Sequence, residues 1–206
     1  MRANGVSLPY LLNQAGMLSG ATSIKFTSSD GYHITLTYDQ ALGMRTSFSS
    51  HSPGGSSGAT TVEPIIAWEW GDRNAMPENI RPFFGQSGPM DVNTASFVRD
   101  LELIEVFTTP VNVWASPEAS AADGSAVPAG TELSLFHENM DNVRIYYTTD
   151  GSEPNYYSEV YNRSTSFFQP HLIVPLILTE DVTIKAFAAG AGRAASPVVT
   201  FTFTIQ

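Results

Sequence analysis

The side chains that could do chemistry in this chain are few and scattered. It contains no cysteine, which rules out a thiol nucleophile, a thiolate metal site and a disulfide. Its four histidines, His33, His51, His137 and His171, stand too far apart for a ligand pair such as His-x-x-x-His. Glu63 and the Glu69/Asp72 pair are carboxylates of the kind that act as acid and base. Glycosidase chemistry, however, turns on the separation of two carboxylates in space, which their order in sequence does not state, and solvation of a surface is the simpler account. Asp150, Glu153 and Glu159 could offer oxygen to Ca²⁺, yet the span lacks the alternating Asp/Asn pattern of a calcium loop. No phosphate-binding glycine loop occurs, and Gly190-Ala191-Gly192 falls between two strand patterns as a turn. No catalytic, metal or cofactor residue is assigned, and the chain reads as a non-enzyme that needs no cofactor.

The aromatic residues are a second resource. Exposed rings stack on sugars or anchor protein partners, whereas buried ones fill cores. Core packing is the default for Trp68, Trp70 and Trp114. Tyr156, Tyr157 and Tyr161 lie beside a turn and a polar loop, and with Asp150 they form the candidate ligand-binding set. A binding module would show these tyrosines as one exposed patch, while a structural spacer could bury them all. Asn162-Arg163-Ser164 fits a glycosylation sequon.

Composition narrows the partners. The chain has 206 residues, 20 of them acidic and 10 basic, for a net charge of −10. It lacks the basic footprint of a nucleic-acid binder and would be repelled by anionic membranes. No apolar run approaches the ~18 residues of a membrane span, and no apolar signal-peptide core follows Met1. The segment reads as part of a longer precursor. Its length fits one large domain or two ordinary ones.

The positioning elements follow from periodicity. Residues 6–16 carry Leu8, Leu11, Leu12 and Ala15 on one helical face, with Ser7 as cap and Gly16 as terminator. Residues 23–28 and 32–37 alternate as strands about a Ser29-Asp30-Gly31 turn, and 38–42 form a helical turn. Residues 43–61 read as a mobile Gly/Ser/Thr loop. Strands are expected at 62–70, 80–85 and through most of 96–108, with a loop at 86–93. Thr109-Pro110 marks the expected boundary between domains 1–109 and 110–206. Beyond it, 116–130 reads as a loop, and 131–136, 143–149, 182–188 and 198–205 as strands. Pro175 excludes a regular central strand at 172–178. Val143, Ile145 and Tyr147 alternate with Arg144, Tyr146 and Thr148, and Asp150-Gly151 ends that strand in a tight turn. So many short strands separated by turns predict an immunoglobulin-like β-sandwich.

Linked motifs carry a resemblance over residues 110–206. Ile145 to Pro154 (Ile-Tyr-Tyr-Thr-Thr-Asp-Gly-Ser-Glu-Pro), Ser158 to Tyr161, Thr183 to Ala186 and Ser196 to Val198 occur in the order and spacing of the chitobiase/β-hexosaminidase C-terminal domain, with a longer insertion between 161 and 178. That resemblance implies an immunoglobulin-like accessory module of a secreted or cell-surface bacterial protein. Residues 4–107 resemble part of the molybdopterin-binding domain of sulfite-oxidase-type oxidoreductases, through Gly5 to Leu8, Leu11-Leu12, Ala15-Gly16, Phe26 to Tyr32 and a closing strand near 97–106. This implies an α+β fold whose relatives bind molybdenum through a Cys thiolate, a residue this chain does not have. The chain is therefore expected to be mainly β: an α+β domain followed by a sandwich. Its expected role is non-catalytic, binding a carbohydrate or a surface protein. A structural spacer is the alternative, and an oxidoreductase-related domain with a molybdopterin-type ligand the more distant one.

Overall fold

The computed structural model describes residues 3–17, 19–44, 46–48, 59–70, 80–91 and 97–206, with Trp70 described by its backbone alone. The chain is mostly β and divides into two compact units, Met1–Asn112 and Val113–Gln206.

In the first unit, strand β1 (Ala3–Ser7) runs directly into helix α1 (Leu8–Gln14). The Ser7 hydroxyl caps the helix, accepting the Tyr10 N–H at 3.3 Å and donating to Glu63 at 2.6 Å. The helix is shorter than the periodicity of 6–16 suggests, because Val6 and Ser7 pair with Ile66 and Ile65 as a strand. Gly16, at φ 76°, turns the chain after the helix. Gly5 lies at a bulge in this pairing, where a Cβ would come within 2.3 Å of the Ile66 carbonyl oxygen, so no larger residue fits.

Strands β2 (Ser23–Ser28) and β3 (His33–Thr37) form the expected hairpin. In its turn the Asp30 carboxylate accepts the Tyr32 N–H at 2.9 Å. That bond, helped by the Ser28 hydroxyl, lowers the Asp30 pKa. A π-helical turn (Asp39–Gly43) follows, then β4 (Thr46–Ser47), β5 (Thr60–Thr61), β6 (Ile65–Trp70), β7 (Arg81–Phe83) and β8 (Leu101–Phe107). Thr46 and Ser47 pair with Thr61 and Thr60, so the ends of the 43–61 segment form a short ladder. Its middle, residues 49–58, lies outside the described residues. The strand expected at 96–108 spans Leu101–Phe107 and pairs antiparallel with β2. One sheet has the order β3-β2-β8 and a second the order β1-β6-β7. Leu8 and Leu12 of the helix meet Ile24, Phe26, Leu36, Ile66 and Phe84 in one core.

The second unit holds β9 (Glu118–Ala119), β10 (Ala126–Val127), β11 (Thr131–Leu133), β12 (Leu135–Phe136), β13 (Val143–Thr148), β14 (Glu159–Val160), β15 (Leu176–Leu178), β16 (Val182–Gly190) and β17 (Val199–Ile205). Its main sheet has the order β10-β17-β16-β13-β14. The single strand expected at 131–136 is divided at Ser134, because β11 pairs with β15 whereas β12 pairs with β9. The loop expected at 116–130 contributes two short strands, β9 and β10, and β10 runs parallel to β17. Both are recruited by tertiary pairing and not by any periodicity of their own. Pro175 stands just before β15, which is confined to three residues paired with β11.

Alternation assigns the two faces of the main sheet. Val143, Ile145 and Tyr147 share one face with Ile184, Ala186, Ala188, Phe201 and Phe203, all but Tyr147 buried. This face packs on Leu133, Leu135 and Leu178 from the shorter ladders, giving the sandwich its core. On the opposite face, Thr200, Thr202 and Thr204 are exposed, but Tyr146 and its cross-strand partner Phe187 are buried.

Candidate functional site: an aromatic tip on a braced insertion

The three candidate tyrosines do not form one patch. Tyr161 is 5% exposed and lies on the core side of the main sheet, its ring edge-on to Tyr147 at 6.5 Å. Burial, and then the nearby Glu159 carboxylate, raise the Tyr147 pKa. Tyr156 is half-buried on the opposite side, edge-on to Tyr146 at 5.3 Å and to Phe187 at 5.4 Å. Those two rings are stacked at 5.1 Å with 13° between their planes. Tyr156 thus closes an aromatic cluster on the outer face. Of the three, Tyr157 alone is exposed, at 65%. The cause is strand geometry: Tyr161 follows a strand on the edge of the main sheet and turns inward, while Tyr156 belongs to the turn that folds over the outer face.

Asp150 is a turn residue. Its carboxylate accepts the Ser152 hydroxyl at 2.6 Å and the Ser152 N–H at 3.0 Å, and these bonds hold the carboxyl below the usual aspartate range. Gly151, at φ 76°, donates its N–H to the Thr183 carbonyl at 3.0 Å. Glu153 pairs with Lys185, and Glu159 with Arg163. The three carboxylates weighed as calcium ligands are thus turned to separate partners. Among the described residues, no cluster of three His, Asp or Glu side chains could hold a metal ion.

The other sequence candidates are also dispersed. Glu63 is bonded to Ser7, and Glu69 accepts the Asn4 amide at 2.7 Å. Asp72, His51 and the Trp70 side chain lie outside the described residues. His33 and His171 are exposed. His137 is buried, bonded to the Ala115 carbonyl and the Asn139 N–H, with Trp114 edge-on at 5.9 Å. Trp114 is buried, donates its indole N–H to the Gly190 carbonyl and carries the Arg193 guanidinium over its ring at 4.4 Å. Trp68 is exposed.

The feature absent from the candidate set is the insertion between β14 and β15. Phe167 is 93% exposed and Phe168 75%, with Leu172 and Val174 also exposed nearby in the sequence. Ser166, Phe167 and Phe168 form a turn, and both rings point away from the sandwich. The base of the insertion is firmly tied. Ser166 donates its N–H to Asp141 at 2.6 Å and its hydroxyl at 2.7 Å, which lowers the Asp141 pKa. Ser164 is buried, Phe168 donates its N–H to the Thr165 hydroxyl, and Pro170–Leu172 form a 3₁₀ turn. The sequence signal was present in the extra length between 161 and 178 and in two neighbouring phenylalanines without strand or helix periodicity.

Residues 133–203 match the family model described as Fn3 associated. This stretch spans the motifs of the resemblance to the chitobiase C-terminal domain and the whole insertion but does not confirm that family, and the sulfite-oxidase-type resemblance of residues 4–107 is without support. No curated protein and no solved structure matches the chain. Fn3-associated domains are accessory and non-catalytic in type, and typical of extracellular proteins. Among the described residues, no helix is long and apolar enough to cross a membrane.

Proposed function

We propose that this chain is a non-catalytic accessory module of an exported or cell-surface bacterial protein, and that it engages a partner protein through the Phe167–Phe168 tip. The observation that carries this reading is the exposure of both rings, 93% and 75%, on a segment whose base is hydrogen-bonded to the sandwich. Exposed apolar side chains are favourable only where something covers them, and each phenylalanine is worth about 1.5–3 kcal/mol when buried. Phe167, Phe168, Leu172 and Val174 together expose on the order of 500 Å², short of the roughly 800 Å² per partner of a stable interface. The tip is therefore sized as the anchor of an interface, a convex knob entering an apolar pocket, and is too small to be the whole face of a homodimer. A sugar would need hydrogen-bonding groups converging on an exposed ring, and the tyrosine platform that could have supplied them is divided.

The first unit supports this role as scaffold. With no cysteine in the chain, it cannot supply the thiolate that the sulfite-oxidase-type resemblance implies. We propose further that the two domains open separately, which hydrogen exchange would register as two distinct protection levels.

A photo-crosslinking residue at position 167 of the full-length protein, activated on the cells that make it, tests the partner reading. The expected result is a discrete protein adduct that disappears with Phe168→Ser and is not formed from position 118. No adduct, or the same adducts from both positions, would leave a structural spacer. A glycan-array signal abolished by Tyr157→Ala would replace the protein partner with a carbohydrate.

A further inference from the structure

Asn162 is completely buried, the largest commitment of a polar side chain in the second unit. Its Nδ2 donates to the carbonyls of Met140 and Val143, both at 2.7 Å, and its Oδ1 accepts the Ile145 N–H at 2.8 Å. Tyr161 N–H meets the Ile145 carbonyl at 2.9 Å. Residues 143, 145 and 147 present their backbone groups to the same edge of β13, where β14 pairs opposite Tyr146 and Tyr147. The Asn162 amide therefore continues the ladder with a side chain in place of a backbone. It covers the edge of β13 at the point where the main chain leaves the sheet. Four residues later, Ser166 bonds Asp141, next to the Met140 carbonyl that Asn162 also holds.

We propose that Asn162 is the positioning residue of the phenylalanine tip, and that its Asn-Arg-Ser sequon is closed to glycosylation once the chain has folded. The importance of the tip rests on the partner reading above; the positioning does not. Both Nδ2 hydrogens are already donated, and a glycan would replace one of them at a site with no exposure. The sequon is thus a structural staple, and glycosylation there would compete with folding.

The test places para-trifluoromethylphenylalanine at position 168 of the full-length chain and reads it by fluorine NMR, with a second label at position 203 in the core. Asn162→Asp keeps an acceptor for Ile145 but turns carboxylate oxygen toward two carbonyls. The expected result is loss of the native chemical shift at 168 with the core signal retained, and a smaller change of the same kind for Asp141→Asn. If Asn162→Asp does not fold, Asp141→Asn decides, since Asp141 and Ser166 meet at an exposed site. An unchanged signal at 168 in each variant that folds would overturn the proposal. Secretion through a glycosylating host gives an independent outcome: native protein without a glycan is expected, and a glycan on Asn162 beside an intact core signal would refute the closed sequon. A shifted tip signal without any cross-linked adduct would sink the partner reading and leave the positioning in place.

Discussion

The second unit treats its aromatic residues in two opposite ways. On the outer face of the main sheet, Tyr146 and Phe187 stack and are almost completely buried, although nothing in strand alternation requires it. The turn after β13 folds back over them, with Tyr156 edge-on to both, Glu153 paired to Lys185 and the Gly151 N–H bonded to Thr183. In the insertion, the base is bonded just as firmly, but the rings of Phe167 and Phe168 point to solvent. The same residue class is thus packed into the fold in one place and left exposed to solvent in the other. What separates the two is whether the chain returns over the ring.

Substitutions sharpen this comparison. The largest effect is expected from Tyr146→Ala, which removes a buried ring in contact with both Phe187 and Tyr156. Urea unfolding should show a loss of about 3–5 kcal/mol. A loss below about 1 kcal/mol would mean that the outer-face cluster contributes no more than a surface contact. Tyr156→Ala should cost less, about 1–2 kcal/mol, because the ring is half-buried and contributes mainly its two edge-to-face contacts. Phe167→Ser with Phe168→Ser should stay within about 0.5 kcal/mol of the parent in the same assay, as exposed positions do. A cost approaching that of Tyr146→Ala would place the tip in the fold and not in an interface.

The smallest effect concerns acid. Asp141 and Asp150 have lowered pKa values because each accepts hydrogen bonds from a serine N–H and hydroxyl. A carboxyl with a lowered folded pKa contributes stability that is fully present above its unfolded value, about 3.9 for aspartate, and is lost as pH falls through the folded value. The base of the insertion and the turn after β13 should therefore loosen only below that range. A fluorine label at position 168 should keep its shift from neutral pH down to about pH 4 and change below it. Asp141→Asn should abolish that step, and a step unaffected by the substitution would assign it to other groups.

Much of the fold was legible because it rests on local rules. Alternation marked Val143, Ile145 and the 199–205 strand's core face, though not the burial of Tyr146, while Asp-Gly marked both turns and Ser7 and Gly16 bracketed the helix. Pro175 confined its neighbourhood to a short strand. The readings that changed depended on distant partners. Val6 and Ser7 became strand because Ile65 and Ile66 lie beside them, and the segment after Gly130 became two strands because its halves find different neighbours. The tyrosines do not form one patch for the same reason. Residues 156, 157 and 161 are close in sequence, but a turn and a sheet edge send their rings to different sides.

The sequence by itself determined the β-rich class of the chain, the absence of thiol chemistry and the absence of a basic footprint, since these follow from composition and nearest-neighbour geometry. Tertiary structure decided which rings are covered, where Asn162 donates its two amide hydrogens and which carboxylates meet which cations. Coverage and pairing depend on segments brought together across tens of residues. The bonds of Asn162 to Met140 and Val143 join positions 22 and 19 residues apart, and no local pattern specifies them.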